Sequence, residues 1–450
     1  MITLAVAVTV AIRVGILVVS PSAFRDDPDA YRAIALTVAE HRIVGLQNSE
    51  GLPRATAFRP PLYPLLLSSV CTRGELPGFR VGLIHVVIAA LTTLLIFDST
   101  LRLATYSGVH FGRIRRSGLA AVASLIVAVD PILLRQSSEV MTETFATLLS
   151  AAVFWGWIRL VVASDSRRMW PRAAVLGLLL GLAYLCRPPF LAWAVLICMA
   201  ILAAGFRGAL WSRKKSWIAA SLTAGMCALA VVAWTMRNST VMGHPIWATS
   251  HGGYTLLLAN NDLFYDHLET SPFGNVWDAD GFLNAYEHRY DGDPRDASFW
   301  RQAWDQPPRV PESANASEPV TEHSDDKLCA EAALATIRRR PATFVWSCVV
   351  RAIRLWSPLP HMTQNRSIVA IILVSGFYVV LYAAVCVGAW RHRGAVFSKP
   401  WWSMWLLIFT LTAVHSIYWS NLRMRAPAIP ALAMIAIMAA GTSNKEPAKA

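Results

Sequence analysis

The chain has 450 residues, of which 55% are hydrophobic and only 15% are charged, whereas about a quarter of the residues in a typical globular domain are charged. Apolar stretches of about 20 residues recur along it, and because each is long enough to cross a bilayer, the composition excludes an ordinary soluble protein. The net charge of +13 does not indicate nucleic-acid binding, because the basic residues lie mostly in short turns, where topology and anionic lipids explain them.

The apolar stretches predict an all-α polytopic membrane protein with about ten transmembrane helices. Arg13 lies in the middle of the first span. An arginine at a helix centre costs about 2.5–3.5 kcal/mol, so its side chain is expected to face the interior of the bundle. The same span lacks the basic start and the cleavage site of a signal peptide, so it is expected to be retained. The predicted spans cover 2–20, 79–101, 117–134, 141–163, 173–186, 189–206, 217–236, 367–390, 401–420 and 427–441.

The turns between these spans alternate in basic content, and basic turns stay cytoplasmic. Both termini are therefore predicted to be cytoplasmic in a cell (inner) membrane, and the segments 21–78 and 237–366 to be extracytoplasmic. The basic turns contain Arg113, Arg115, Arg116; Arg167, Arg168, Arg172; Arg207, Arg213, Lys214, Lys215; and Arg391, Arg393, Lys399. The opposite turns contain few arginines, namely Arg135, Arg187, Arg423 and Arg425.

Composition divides the chain into an N-terminal membrane domain over 1–236, an extracytoplasmic part over 237–366 and a C-terminal membrane domain over 367–450. Between positions 260 and 326 lie 15 of the chain's 28 acidic residues, which predicts a solvated, compact lobe of mixed structure. Arginines and aromatic residues at helical spacing then predict an interfacial helix over 327–358, lying in the plane of the lipid headgroups.

Three carboxylates, those of Asp26, Asp27 and Asp29, follow the first span and precede an amphipathic pattern from Tyr31 that predicts a juxtamembrane helix. They form the densest anionic cluster near the predicted membrane surface. An aspartate before a helix is a common N-cap, but one residue is enough for a cap, so the others are candidates for chemistry. A proline-rich element, Arg59-Pro60-Pro61-Leu62-Tyr63-Pro64, follows in the same loop.

These features resemble the GT-C superfamily of polytopic glycosyltransferases, in particular the group of dolichyl-phosphate-mannose-protein mannosyltransferases and aminoarabinose transferases. In that group the first outward loop carries an acidic motif four residues before a tyrosine, as Asp27 stands before Tyr31, and then an element similar to the proline-rich one. The acidic lobe lies outside the resemblance. Further landmarks, all on the predicted outward side, are Ser137 to Thr144, Arg187-Pro188-Pro189, Arg237-Asn238 and Arg423 to Pro427.

The resemblance implies an inverting glycosyltransferase that moves a sugar from a polyprenyl-phosphate donor to a lipid, glycan or protein acceptor of the cell envelope. An acceptor hydroxyl needs a general base, and Asp27 is the first candidate. Asp29 and Glu143 are alternatives for the base or for orienting the acceptor, and Glu139 is expected one helical turn from Glu143 on the same face. The family often pairs Asp with Glu in the acidic motif, whereas this chain has Asp-Pro-Asp, so the identity of the base stays open. Alternatively, these carboxylates are only polar residues at a helix mouth.

Arginine suits the phosphate of such a carrier, because its planar guanidinium binds oxyanions through two parallel hydrogen bonds. The alternative for each arginine is an anchor whose charge reaches the lipid headgroups. Tyr31 and Tyr63 are candidates for lining the pocket, although tyrosine is also common at membrane interfaces. The candidate phosphate-binding arginines are Arg59, Arg187, Arg237, Arg423 and Arg425.

No obligatory metal or other cofactor is expected, because the histidines lack metal-binding spacing and this branch of the superfamily generally needs no divalent ion, although some relatives do. Seven cysteines without CxxC spacing are interpreted as small buried residues. Walker, dinucleotide-binding and Gly-x-Ser-x-Gly motifs do not occur.

A transporter is the rival functional hypothesis, but a transporter is expected to have ionisable residues in mid-span and repeated halves. A non-catalytic GT-C relative is the third functional hypothesis.

Overall fold

The computed structural model describes residues 1–19, 24, 26–48, 50–109, 111, 115–162, 168–206, 211–304, 320–360 and 367–442. The predicted turn residues Arg113, Arg167 and Arg207, part of the acidic lobe and residues 443–450 lie outside these ranges. The described chain is mainly helical, and its two short strands, β1 (Gly45–Gln47) and β2 (Pro53–Ala55), form an antiparallel hairpin in the first outward loop.

The first 242 residues contain ten helices within the described ranges. They are α1 (Ile2–Val19), α2 (Tyr31–His41), α3 (Leu62–Ser68), α4 (Gly78–Tyr106), α5 (Arg116–Ala128), α6 (Pro131–Gln136), α7 (Glu143–Val161), α8 (Met169–Cys186), α9 (Phe190–Phe206) and α10 (Arg213–Met242). The helices α2 and α3 belong to the loop between α1 and α4, which is predicted to be extracytoplasmic and where juxtamembrane helices are expected from the sequence.

The segment predicted to be extracytoplasmic and the C-terminal helices follow. The helices of that segment are α11 (Gly252–Ala259), α12 (Asp262–Thr270), α13 (Asp280–Glu287), α14 (Ala297–Arg301), α15 (Glu322–Arg339) and α16 (Pro341–Trp356). The C-terminal helices are α17 (Ile368–Arg391), α18 (Arg393–Val396), α19 (Trp402–Ile417) and α20 (Ile429–Ala436). Three 3-10 segments accompany them, at Lys399–Trp401, Leu422–Ala428 and Ile437–Ala440.

Seven described helical stretches are long and apolar enough to cross a membrane, namely α1, α4, α7, α8, α10, α17 and the continuous stretch Leu422–Ala440. The protein is therefore a multi-pass membrane protein, as the sequence predicts. The predicted span 117–134 is wrong as a single helix, because α5 ends at Ala128 and a new helix begins at Pro131. Proline disfavours helical conformation in the residue before it, and the Asp130 side chain accepts a hydrogen bond from the Leu133 N–H at 2.9 Å, which caps α6.

The core lies around α7, where α8, α9, α19 and α20 contribute buried side chains. Two buried tryptophans connect the two membrane domains. The indole N–H of Trp157 donates to the Lys399 carbonyl, and that of Trp193 donates to the Ser403 carbonyl, both at 3.0 Å. An indole N–H buried in an apolar core needs an acceptor, so these bonds fix the C-terminal helices against α7 and α9.

Arg13 faces the interior of the bundle, as predicted. Its side chain is only 4% exposed, and its Nη1 donates to the Leu133 carbonyl at 2.7 Å and to Ser137 Oγ at 3.0 Å. These acceptors compensate for the loss of water around the guanidinium. The arginine thereby connects the first span to the turn that follows α6.

The interfacial helix expected over 327–358 is divided into two helices, α15 and α16, with Pro341 as the first residue of the second. The helix α15 packs into the lobe, where Gly253 allows close approach, because a Cβ there would lie 1.9 Å from the Asp326 carbonyl oxygen. The helix α16 is amphipathic and exposes a row of apolar side chains on one face, which is typical of a helix at a membrane interface. The exposed residues include Val345, Trp346, Val349 and Ile353.

Candidate active site

Asp27 caps the first helix of the outward loop. Its Oδ1 accepts a hydrogen bond from the Arg32 N–H at 3.0 Å, and its Oδ2 accepts one from the Ala33 N–H at 2.9 Å. These are orphan donors of the first turn of α2. The carboxylate is only partly buried, and it makes no ion pair with an arginine among the described residues. The backbone therefore fixes its orientation without neutralising its charge.

Asp29 is the second carboxylate of the motif, and it binds Arg59 across the loop. Arg59 Nη2 lies 2.6 Å from Asp29 Oδ1, and Arg59 Nε donates to the Asp29 carbonyl at 3.0 Å. The guanidinium also lies over the ring of Phe58, 4.5 Å from its centroid, a favourable cation–π geometry. These contacts join the acidic motif to the proline-rich element.

Glu143 is the first residue of α7 and is 1% exposed. Its Oε1 lies 2.7 Å from Nη2 of Arg187, the residue directly after α8. Arg187 Nε also donates to Thr142 Oγ1 at 3.0 Å. The other carboxylate oxygen, Oε2, is buried and has no hydrogen-bond partner within the described part of the chain. A buried acceptor without a donor is uncommon in proteins and marks a position where a ligand or water can bind.

Arg423 lies between these two carboxylates. Its Nη2 is 3.5 Å from Asp29 Oδ2, and its Nε is 3.7 Å from Glu143 Oε1. Its Nη1 has only a long contact, 3.6 Å, with Met141 Sδ. The side chain is 28% exposed, and none of these distances is a strong hydrogen bond. Arg423 therefore keeps more donor capacity than Arg59 or Arg187. We call these five residues the membrane cluster: Asp29, Arg59, Glu143, Arg187 and Arg423.

Tyr31 and Tyr63 pack beside this cluster, with ring centroids 5.4 Å apart in an edge-to-face arrangement. The Tyr63 hydroxyl and His85 Nε2 are 2.8 Å apart, and His85 Nδ1 lies 2.9 Å from the Ser137 carbonyl. Because a carbonyl only accepts, Nδ1 carries the proton and the tyrosine donates to Nε2. Burial raises the pKa of both phenols well above the ordinary value, so both stay neutral, and their part in lining a pocket stays a prediction.

Besides Asp27 and the two tyrosines, three further predicted site residues lie outside the membrane cluster. Arg237 donates to the carbonyls of Thr56, at 2.8 Å, and of Val44, and so holds the hairpin. Arg425 is fully buried and donates to the Leu355 carbonyl at 3.0 Å. Glu139 binds Arg135 Nε at 2.9 Å and Gln136 Nε2 at 2.7 Å. It does not share a helical face with Glu143, because α7 begins only at Glu143.

Sequence reasoning missed Thr142, which orients Arg187, and His85, which holds Tyr63. A signal for His85 exists, because an ionisable residue within a predicted span is a functional or structural marker. Among the described residues there is no group of three His, Cys, Asp or Glu side chains arranged to hold a metal ion. The cationic groups beside the carboxylates of the membrane cluster are the guanidinium groups of Arg59, Arg187 and Arg423.

No protein-family model matches the chain, and no curated protein matches it. The structure does match solved structures of the Archaeoglobus fulgidus oligosaccharyltransferase. The complex of AglB with an inhibitory peptide and a dolichol-phosphate has a TM-score of 0.53 and 15% identity, covering 98% of this chain and 50% of that chain. The apo form has a TM-score of 0.51 and 13% identity, covering 97% and 50%.

The fold is that of the GT-C glycosyltransferases. The GT-C fold predicted from the loop motifs is thus confirmed, and the chain spans about half the length of these oligosaccharyltransferases, covering 50% of each. ArnT from Cupriavidus metallidurans bound to undecaprenyl phosphate is also similar, with a TM-score of 0.37 and 14% identity over 96% of this chain and 77% of that chain. A further structure of the archaeal enzyme contains zinc and sulfate.

Proposed function

We propose that the protein is a membrane glycosyltransferase that transfers a sugar, with inversion, from a polyprenyl-phosphate donor to an acceptor on the extracytoplasmic side. The observation that carries the proposal is the membrane cluster. Its members come from the first outward loop, the start of α7, the end of α8 and the segment before α20, far apart in sequence. In a GT-C fold, this convergence of carboxylates and arginines favours an anionic, lipid-linked substrate, and AglB has been solved with a dolichol-phosphate.

Arg423 is the residue best suited to the donor phosphate. Its contacts with Asp29 and Glu143 are 3.5 and 3.7 Å long, so phosphate oxygens can compete for its donors at little cost. Arg187 and Arg59 are bound more tightly to single carboxylates, at 2.7 and 2.6 Å. They supply positive charge beside the phosphate and keep the carboxylates in place. Charge-assisted pairs of this kind contribute about 1.5–3 kcal/mol each.

Asp27 is the best candidate for the general base. Asp29 and Glu143 are each bound directly to an arginine, at 2.6 and 2.7 Å, which occupies oxygens that a reacting hydroxyl would need. Asp27 is held instead by two backbone N–H groups, and a carboxylate with two such bonds keeps further lone pairs for an acceptor hydroxyl. In the proposed step the acceptor oxygen attacks the anomeric carbon as its proton passes to Asp27. The bond from that carbon to the phosphate oxygen breaks, and Arg423 stabilises the phosphate that leaves.

Glu143 fits an acceptor-orienting role in the same proposal. Its Oε2 is buried without a hydrogen-bond donor in the described part of the chain, and a hydroxyl of the acceptor or of the donor sugar would satisfy it. The opposite oxygen is already held by Arg187. Such a bond fixes the orientation of the reacting group, which contributes to catalysis separately from proton transfer.

The test is transfer of radiolabelled sugar from polyprenyl-phosphate carriers to endogenous acceptors in membranes that contain the protein. Wild type is expected to move label from the carrier into a new product, whereas the Asp27→Asn variant is expected to leave it on the carrier. A transporter would instead move intact labelled carrier across the membrane. The proposal would be contradicted if the label crossed the membrane still attached to its carrier, both with wild type and with Asp27→Asn.

A further inference from the structure

Arg425 stands two residues after Arg423 in the 3-10 segment Leu422–Ala428, but it contacts a different part of the protein. Its side chain is fully buried. Its Nη1 donates to the Leu355 carbonyl at 3.0 Å and to the Ser357 carbonyl at 2.5 Å, both at the end of α16. The arginine therefore ties the segment that carries Arg423 to the end of the interfacial helix.

The other side of the Arg425 guanidinium faces an aromatic ring. Its central carbon lies 4.0 Å from the centroid of the Tyr378 ring on α17. The Tyr378 hydroxyl donates to Asp130 Oδ2 at 2.8 Å, and Asp130 also caps α6. Through these contacts Arg425 joins the 3-10 segment to α16, to α17 and to the start of α6.

Stability alone does not explain an arginine in this position. Two of its nitrogens, Nε and Nη2, are buried without a hydrogen-bond acceptor in the described part of the chain, and unsatisfied buried donors destabilise a fold. Replacing buried charged groups by apolar side chains of similar volume is often neutral or stabilising. The residue therefore contributes something other than net stability, and its neighbour Arg423 indicates what that is.

The segment that carries Arg423 needs support from outside. A 3-10 turn has poorer hydrogen-bond geometry than an α-helix, and Pro427 within it has no N–H to donate. Arg423 does not hold itself in place, because its nearest carboxylate contact is 3.5 Å long. The Asn421 side chain accepts a hydrogen bond from the Arg423 N–H at 3.1 Å, but this bond lies within the same segment. The hydrogen bonds of Arg425 to the end of α16 are the nearest short ones that tie the segment to another helix.

We propose that Arg425 is a positioning residue, which holds the segment so that Arg423 stands between Asp29 and Glu143 ready to bind the donor phosphate. This inference rests on the proposed function of Arg423. It predicts that Arg425 sets the affinity for the donor without touching it, through the geometry of Arg423.

The test compares Arg425→Met and Arg425→Lys with wild type in binding of undecaprenyl phosphate to the purified full chain. Arg425→Met is expected to weaken binding by about tenfold, within the range of indirect coupling effects, with a melting temperature unchanged or higher. Arg425→Lys, which retains one donor toward α16, is expected to be intermediate and serves if the methionine variant does not fold.

A matched control is Arg351→Met. Arg351 is also buried, and it donates to the carbonyls of Ser416 and Ala259, both at 2.6 Å, but none of these contacts involves the membrane cluster. This variant is expected to melt at a lower temperature and to bind undecaprenyl phosphate as tightly as wild type. Equal weakening in both variants would show that loss of any buried arginine is enough, and would overturn the inference.

A double-mutant cycle separates positioning from an independent effect. Because Arg425 acts through Arg423, adding Arg425→Met to Arg423→Ala is expected to cause no further loss of affinity. The inference would be overturned if the losses of affinity in the two single variants multiplied in the double variant. It would also be overturned if Arg425→Met bound undecaprenyl phosphate as tightly as wild type.

Hydrogen exchange of the backbone amides in 422–428, measured without any lipid, is expected to be faster in Arg425→Met. Wild type that does not bind undecaprenyl phosphate would overturn the proposed function, and the exchange measurement would then decide the positioning role alone.

Discussion

The membrane cluster and a second group of carboxylates and arginines in the lobe have similar compositions but different bonding. We call Asp262, Asp266, Glu269, Arg339 and Arg340 the lobe cluster. Arg339 Nη2 lies 2.6 Å from Asp262, which is 1% exposed, and Arg340 lies 2.6 Å from Asp266 and 2.7 Å from Glu269. Thr336 and Thr343 donate further hydrogen bonds to these carboxylates. The lobe cluster is thus tightly bonded throughout.

The membrane cluster is incomplete by comparison. Arg423 reaches its carboxylates only at 3.5 and 3.7 Å, and Glu143 Oε2 has no partner among the described residues. Buried polar groups are nearly always paired when their role is structural. The difference indicates that the lobe cluster holds the lobe together, whereas the membrane cluster has capacity for a ligand. Composition does not distinguish the two, but bonding does.

The largest expected effect belongs to Asp27, beside the membrane cluster. Asp27→Asn removes the proposed base, so turnover is expected to fall by about 10²–10⁴. Asparagine keeps only one of the two capping acceptors, so unfolding is expected to become easier by about 0.5–1.5 kcal/mol. Radiolabel transfer and thermal melting measure the two effects separately, and Asp27→Ser supplies a second variant that can cap α2 without acting as a base.

Asp26→Asn is the control for that experiment, because Asp26 is the exposed neighbour and is expected to tolerate the change. If Asp29→Asn is inactive and Asp27→Asn is nearly as active as wild type, the general base is Asp29 rather than Asp27, and the proposed enzymatic function still holds. Full activity in Asp27→Asn, Asp29→Asn and Glu143→Gln would leave none of these carboxylates for proton transfer and would refute this site.

Arg423→Ala tests the ligand capacity of the membrane cluster directly. Loss of one charge-assisted contact with phosphate is expected to weaken donor binding by about 10–100-fold. The melting temperature is expected to change little, because Arg423 makes no short bond to a carboxylate. Equilibrium binding of undecaprenyl phosphate measures the first effect. Unchanged affinity would return Arg423 to the role of a headgroup anchor.

Arg339→Ala in the lobe cluster is expected to behave in the opposite way. It removes the 2.6 Å partner of the buried Asp262 carboxylate, so the free energy of unfolding is expected to fall by about 1–3 kcal/mol, while donor affinity stays the same. Arg301→Ala is the control, since Arg301 is exposed and its contact with Asp266 is long and weak, at 3.5 Å. If Arg339→Ala weakens donor binding as strongly as Arg423→Ala, the contrast between the clusters is wrong.

The smallest expected effect concerns His251, which lies between Phe58 of the first loop and Tyr254 of the lobe, with ring centroids 4.6 and 4.7 Å away. Burial, together with the Arg59 charge, lowers the pKa of His251 to about 3. The unfolded chain therefore takes up a proton more readily, so this contribution to stability is complete above about pH 6.5 and is lost as the pH falls toward 3.

Between pH 7 and pH 5 the loss is expected to be about 1–2 kcal/mol. Chemical unfolding at the two pH values, with His251→Gln beside wild type, measures it, and the variant is expected to be less sensitive to pH. The control is His41→Gln, which changes a more exposed histidine. Equal pH dependence in wild type and His251→Gln would show that His251 is not kept neutral.

Hydropathy predicts the membrane helices because long apolar runs have few alternative environments. Hydropathy fails where single residues decide the end of a helix, as Asp130 and Pro131 do when they divide a predicted span. It also places the ends of α10 too far inward, because the polar residues around Arg213 and Met242 continue the helix beyond the apolar part. The fold is thus largely readable from the sequence, and helix boundaries are less so.

The site was predicted in part. Asp29, Glu143, Arg187 and Arg423 do meet, as expected for motifs that are all predicted at the same, outward ends of spans. The sequence does not separate Arg423 from Arg425, since the direction of each side chain depends on the 3-10 conformation and on what packs against it. Nor does it show that Arg237 holds a hairpin, because that role depends on contacts with residues almost two hundred positions away.

The acceptors of Arg13 also bear on how the chain is made. They lie at Leu133 and Ser137, so a nascent chain inserts the first span more than a hundred residues before the arginine has its partners. Until then the helix carries an unpaired charge that costs about 2.5–3.5 kcal/mol in the membrane. The first span is therefore expected to settle at its final depth only after α6 is in place, so the loop that carries Asp27 matures later than its position in the chain suggests.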